Sequence, residues 1–287
     1  MARYLVGIDN GGTMTKAAVF TADGRDLATA ARKVEILEPH PGWSERDMDA
    51  MWRGTAEAVR EALDRSGVDP GEVACVACTG HGNGLYLIDA HGRPVRNGIN
   101  SMDGRAAGIV AEWKADGVDA RALPKTAQCV WPAQPNALLA WLREHEPQRL
   151  ARAAALLMAK DYTRFMLTGE VRMELTDMSG TSLMNVVEAR YDDEVLALFD
   201  IPEMKHLLPP LVRSADICGA VTAAAAAQTG LKAGTPVAGG MFDIDACGLA
   251  SGCVDERQFV IVAGTWGNNQ YIARKPLVDK GLFMTSC

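Results

Sequence analysis

A short apolar run at residues 4–8 breaks into Asp9-Asn10-Gly11-Gly12-Thr13 and resumes at residues 16–20. Aliphatic residues on both sides of a glycine pair predict a strand, a tight turn and a second strand. Ala22-Asp23-Gly24 is a further turn signal, and residues 27–34 complete a three-stranded antiparallel meander. The same grammar returns near the other end: Val260-Ile261-Val262-Ala263, then Gly264-Thr265, then an extended stretch at 269–273. A strand–turn–strand unit used twice predicts two related lobes facing each other. The first would occupy residues 1–254. The second would have only begun over residues 255–287, because a single hairpin is marginal by itself. The chain therefore reads as part of a longer protein.

Between these units the punctuation is clear. Asp47 can cap a helix running to about Arg65, with Met48, Met51, Trp52, Val59 and Leu63 on one face and Gly67 as the stop. Strands are expected at residues 73–78 and 85–88. A meander followed by a helix and a strand is α/β, but it is not the alternating βαβ of a dinucleotide-binding fold. Residues 103–230 read as mostly helical, with apolar helical periodicity over 137–144 and 150–167 and an alanine run at 223–227 closed by Gly230. Residues 236–240 and 243–252 lead out of that region.

Composition narrows the function classes. Hydrophobic residues make up 48% of the 287 and charged residues 23%, which is ordinary globular usage and enough for a sizeable core. The net charge is −7 and Lys and Arg are nowhere clustered, which argues against nucleic-acid and anionic-membrane partners. No signal-peptide pattern and no bilayer-length apolar run is visible, so a cytoplasmic location is expected. Seven scattered cysteines do not form a disulfide framework. The Cys75-x-x-Cys78 pair sits in an expected strand, where positions three apart face opposite ways, so it reads as strand packing and not as half of a zinc site.

Three places can carry chemistry. In Asp9-Asn10-Gly11-Gly12-Thr13…Lys16, the glycines let backbone N–H groups approach a bulky anion, Thr13 adds a hydroxyl donor and Lys16 a cation. Asp9 could hold Mg²⁺ through water. A plain hairpin turn is the bland alternative. The element after the turn is a strand, so this is not a Walker-type loop. Gly264-Thr265 offers a second such turn, and a pair of turns can grip a triphosphate between lobes. In Gly239-Gly240-Met241-Phe242-Asp243-Ile244-Asp245, a carboxylate enters a small-residue helix. It could accept the proton of a substrate hydroxyl, or it could simply cap the helix, and Asp243 and Asp245 could divide these roles. His81, flanked by glycine at the end of a strand, sits where an α/β sheet presents ligands. His40, His91, His145 and His206 read as solvated, and Trp52, Trp113 and Trp141 as core.

Taken in order, these segments resemble the FGGY carbohydrate kinases. The resemblance is carried by the first turn, by Pro41-Gly42-Trp43-Ser44-Glu45-Arg46-Asp47, by Asp103-Gly104-Arg105-Ala106 and by Lys160-Asp161-Tyr162…Leu167-Thr168-Gly169-Glu170. It continues through Thr229-Gly230-Leu231-Lys232-Ala233-Gly234-Thr235-Pro236-Val237, Gly239-Gly240…Asp243 and Gly264-Thr265, and so spans essentially the whole chain. The segments around Trp131, Trp141 to Pro147 and Ile217-Cys218-Gly219 are most similar to the L-xylulose branch, with other ketopentose and erythritol kinases next.

The resemblance implies an actin/hexokinase-like, ribonuclease-H-like ATPase lobe with a helical insertion. It implies ATP and Mg²⁺, and a small sugar or polyol as the molecule bound. A homodimer is one assembly open to the chain, and the sequence does not fix the oligomeric state. The resemblance makes Asp243 the catalytic base, Gly11, Gly12, Thr13, Lys16, Gly264 and Thr265 the phosphate-binding set, and Asp9 the Mg²⁺ residue. His81, Gly82, Asn83, Asp103 and Arg105 become substrate-binding residues. Three departures touch the sugar side. Ser101 stands where the family often has Trp, which leaves the stacking wall to Trp131. Ile244 stands where Asn is common. The loop reads His81-Gly82-Asn83-Gly84 where xylulose kinases often have Gln-Met-His-Gly. The expected activity is phosphoryl transfer to a ketopentose of the xylulose/ribulose class. A polyol kinase of the erythritol or glycerol type, or a non-catalytic sugar-binding protein of the same fold, are the rivals. Residues 1–287 alone are expected to be inactive, with the adenine site beyond Cys287.

Overall fold

The computed structural model describes residues 3–263, 267–279 and 281–287. Three antiparallel strands open the chain: β1 (Tyr4–Asn10), β2 (Met14–Thr21) and β3 (Asp26–Lys33). The β1–β2 register sets Asp9 opposite Lys16. Alternation divides the two faces. Val6, Ile8 and Asn10 are buried, whereas Leu5, Gly7 and Asp9 lie on the more open side.

The buried side packs on α1 (Met48–Ser66). The Asp47 carboxylate accepts from Ala50 N at 2.8 Å, and Gly67 closes the helix at φ 67° with its N–H on the Leu63 carbonyl. The chain then crosses to β4 (Val73–Gly80), which runs parallel to β1 with Asp9 beside Thr79 and Asn10 beside Gly80.

The insertion that follows has its own apolar core, built around helix α2 (Pro135–His145) and separate from the core under the sheet. One expectation fails here. Residues 150–167 are not a single helix. After Leu150 the chain forms a strand, Ala155–Leu157, antiparallel to Tyr86–Ile88, and the helix α3 (Ala159–Thr168) starts only afterwards. Ala155–Leu157 are buried on every side, and for so short an apolar run periodicity does not separate strand from helix. The insertion is also less helical than expected: Met173–Glu174 pairs with Leu211–Val212, and Met184–Asn185 with Arg190–Tyr191.

Helix α4 (Leu175–Ser179) is followed by strand β5 (Ile217–Ala220), helix α5 (Ala223–Thr229) and strands β6 (Pro236–Ala238) and β7 (Met241–Phe242). They complete a seven-stranded sheet of order β5-β6-β4-β1-β2-β3, in which β7 also pairs with β4. Phe242 lies beside Gly80 in that register. The carboxyl ends of β1, β4 and β7 therefore meet, which is where open α/β sheets bind ligands. Helix α6 (Asp243–Ala250) leaves from this point. Beyond it, β8 (Phe259–Ala263) and β9 (Gly267–Tyr271) pair with each other and, among the described residues, with no other strand, and Phe259 and Ile261 are exposed.

Candidate active site

Asp9 closes β1 on its open face. Its Oδ1 is buried and has no hydrogen-bond partner, and Lys16 Nζ stands 3.9 Å from Oδ2. Burial raises the Asp9 pKa, and the Lys16 charge pulls it part of the way back. Asn10 turns the other way and locks the strand end to the core: Nδ2 donates to Thr163 Oγ1 at 2.6 Å, and Oδ1 accepts from Thr15 Oγ1 at 3.0 Å. A Cβ placed on Gly12 would meet nothing within 4 Å, so the turn opens onto free space. A cavity of about 520 Å³ runs from Asp9 and Lys16 past Thr79 to Gly240, Met241 and Ala246.

Asp243 is mounted on a clamped turn. Gly240 has φ 82°, and a Cβ there would lie 2.0 Å from the Cys78 carbonyl oxygen, so only glycine lets β7 approach β4. Arg164 Nη1 donates to Gly239 O at 2.6 Å, Thr79 Oγ1 to Met241 O at 2.8 Å, and Phe242 N to Thr176 Oγ1 at 2.9 Å. Phe242 is the N-cap of α6, with no side-chain cap bond, so neither Asp243 nor Asp245 caps the helix. Asp245 instead accepts from Ser286 Oγ at 2.7 Å. Burial, and then the negative charge of Asp9, push the Asp243 carboxyl up to about 7. Burial pushes Asp245 up to about 6.

His81 follows β4, its N–H bonded to Asn10 O at 3.1 Å. Gly82 lies so close to Phe242 that a Cβ would stand 2.4 Å from that ring. Asn83 adopts φ 60°, and its buried Oδ1 has no partner. The sequence-expected loop and the sequence-expected base are thus brought together.

Asp103 and Arg105 are committed inside the protein. Asp103 accepts from Ser44 N at 2.7 Å and from Arg105 N and Nε at 2.9 and 2.8 Å, and Arg105 also bonds Glu45 at 2.7 Å. The guanidinium lies over the Trp43 ring at 4.1 Å. Both side chains are wholly buried, so they brace the wall from behind. Trp131 is half-buried, with its ring centroid 5.8 Å from that of Phe283. Residues 282–287 fold back here: Cys129 N donates to Phe283 O at 3.0 Å and Cys287 N to Ser179 Oγ at 3.2 Å. Gly264 and Thr265 lie outside the described residues.

Sequence reasoning missed what stands beneath. Lys160 is fully buried, 3.1 Å from Asp161, 3.2 Å from Glu174 and 3.4 Å from Asp177, and Arg164 lies 2.6 Å from Asp161. Burial alone would lower the Lys160 pKa, but the three carboxylates outweigh it and raise it. Glu174 accepts from Thr176 Oγ1 at 2.7 Å, which ties this cluster to the turn bearing Asp243. A Lys-Asp pair at the start of an apolar helix was the only local signal, and surface pairs look the same in sequence.

Residues 4–249 match the FGGY family of carbohydrate kinases, N-terminal domain. The chain is 40% identical over 274 residues to the L-xylulose/3-keto-L-gulonate kinase of Escherichia coli, a match that covers 96% of this chain and 55% of that protein. It is 29% identical to the xylulose kinase of the same organism, over 91% of this chain and 53% of that one. Among solved structures, the xylulose kinase from Rhodospirillum rubrum superposes with a TM-score of 0.92 at 29% identity, covering 98% of this chain and 57% of that chain. The chain spans about half the length of the curated relatives it matches.

Proposed function

Because this chain belongs to the FGGY family of carbohydrate kinases, we propose that its cleft transfers the γ-phosphate of ATP to a hydroxyl of a ketopentose resembling L-xylulose. The observation that carries this reading is the Asp243 carboxyl, mounted at the start of α6 just after Phe242 pairs beside Gly80, where burial and the charge of Asp9 raise its pKa to about 7. A general base works best with a pKa near the working pH, and this one is placed there by burial and by a neighbouring carboxylate.

In this mechanism His81 and Asn83 hold the sugar, with Trp131 as an apolar wall. Asp243 accepts the hydroxyl proton as the oxygen attacks phosphorus. Gly11, Gly12 and Thr13 present backbone and hydroxyl donors to the phosphates, and Lys16 adds a positive charge. Phosphoryl transfer needs little covalent help, so orientation and charge neutralisation supply most of the rate. Asp9 fits a hydrated divalent cation, since its Oδ1 is buried without a hydrogen-bond partner. When Mg²⁺ is bound it supplies charge neutralisation on the phosphate oxygens. The ketopentose is favoured by the identity to the E. coli L-xylulose/3-keto-L-gulonate kinase.

A thermal-shift panel of ketopentoses, pentitols, erythritol and glycerol tests the substrate, since a ligand that binds only the native state raises the apparent melting temperature. The largest shift is expected from a ketopentose. A shift from glycerol or erythritol alone would reassign the pocket to polyols.

The phosphate turn has a test of its own. Space is open at Gly12, so Gly12→Val should leave the melting temperature unchanged. It should weaken nucleotide binding to the two-lobed protein by roughly tenfold or more, because the branched side chain holds phosphate away from the backbone donors. Unchanged nucleotide affinity, read by calorimetry, would remove the turn from the site.

A further inference from the structure

Arg46 is fully buried, and among the described residues it forms no ion pair. A buried cation without a carboxylate is costly, so its position calls for a reason. Its Nη1 lies 3.3 Å from His81 Nε2 and 3.5 Å from the Gly11 carbonyl oxygen, while Nε and Nη2 have no hydrogen-bond partner. Tyr86, equally buried, places its hydroxyl 2.9 Å from the same His81 nitrogen.

A guanidinium donates hydrogen bonds and cannot accept one. His81 Nε2 therefore accepts from Arg46, and the Tyr86 hydroxyl, 2.9 Å from the same nitrogen, donates to it as well. Both neighbours of Nε2 are then donors, and Nε2 must carry the lone pair. We infer that Arg46 and Tyr86 are positioning residues that hold His81 as the neutral Nδ1–H tautomer, so that it meets the substrate only as a hydrogen-bond donor. Burial and the Arg46 charge, which hold the ring's pKa down at about 3, are consistent with this geometry. Nδ1 makes only a long approach of 3.4 Å to the Gly82 carbonyl, so its N–H is available to a carbonyl or hydroxyl oxygen of a sugar. Arg46 thus acts on the substrate without touching it. The inference rests on the reading above that His81 faces the sugar.

The test is a ¹⁵N spectrum of the histidine side chains. There are five histidines, and His81 is assigned as the set of signals lost in His81→Gln. In the sugar-free protein the expected result is Nδ1 protonated and Nε2 bare. Nε2 protonated overturns the inference and leaves the kinase reading standing. Addition of L-xylulose is expected to move the Nδ1 signal. If binding is seen by calorimetry while Nδ1 stays still, His81 is not the sugar contact, and the inference falls with that part of the proposed function. Arg46→Met should populate the Nε2–H tautomer and weaken sugar binding about five- to tenfold, the scale of one hydrogen bond. Arg46→Lys, which still only donates, should restore the tautomer. Tyr86→Phe, which leaves Arg46 donating to Nε2, should keep the Nδ1–H tautomer, and a switch to Nε2–H in that variant would also overturn the role of Arg46. A tautomer unchanged in a folded Arg46→Met protein would overturn the role of Arg46.

Discussion

Asp243→Asn should lower the turnover of the two-lobed enzyme by roughly a hundredfold or more, the usual scale for losing a positioned general base. Asparagine keeps the shape of the side chain at the first position of α6 but cannot take the hydroxyl proton. Sugar binding should survive. The fold should not suffer, because a buried carboxyl under the charge of Asp9 is held against its preference for water and for distance from like charge. The wild-type profile of kcat/KM should rise through a midpoint near pH 7 as Asp243 loses its proton, and that limb should vanish in the variant. Turnover near the wild-type rate would reduce Asp243 to a structural residue.

The second large effect is on stability. Lys160→Met removes one of the two cations from a buried cluster holding three carboxylates. Removing one member of a buried ion network leaves uncompensated charge and typically costs about 3–5 kcal/mol. Against a domain stability of about 5–15 kcal/mol, that should lower the melting temperature by roughly 10 °C or more. Burial already raises the Asp177 pKa well above its ordinary value, with Lys160 opposing. Without Lys160 it rises further. A carboxyl whose folded pKa exceeds its unfolded one costs nothing below about pH 4, and costs more as pH climbs toward the folded value. The deficit of Lys160→Met should therefore be larger at pH 8 than at pH 5. Adding Asp177→Asn should recover part of it. A melting temperature unchanged at both pH values would mean that the cluster contributes nothing.

The fold is of the actin/hexokinase type, and the residues that announce it are those with local physical meaning. Alternation marks the faces of β1 and β2, Asp47 and Gly67 bracket α1, and Gly240 marks the strand that must approach Cys78. Asp9 and Asp243 are legible because glycines and strand ends flag them. Residues 150–167 are not, because a helix and a buried three-residue strand share one apolar pattern there. Nor are the supports of the site. Thr176 receives Phe242 N from 66 residues away, and Arg46 reaches His81 across 35. In sequence, Arg46 and Lys160 look like any surface cation. Only the fold removes their water and supplies their partners.

Ketopentose-dependent ADP release, measured side by side on residues 1–287 and on a polypeptide that carries both lobes, tests most directly whether the Asp9–Asp243 cleft is one wall of a kinase. In the proposed kinase reading one wall cannot exclude water from the transferring phosphate, so a second lobe would have to close over it. The two-lobed protein should release ADP only when a ketopentose is present, and residues 1–287 should release none. Robust sugar-dependent release from residues 1–287 alone, or none from the two-lobed protein with any ketopentose, would contradict it.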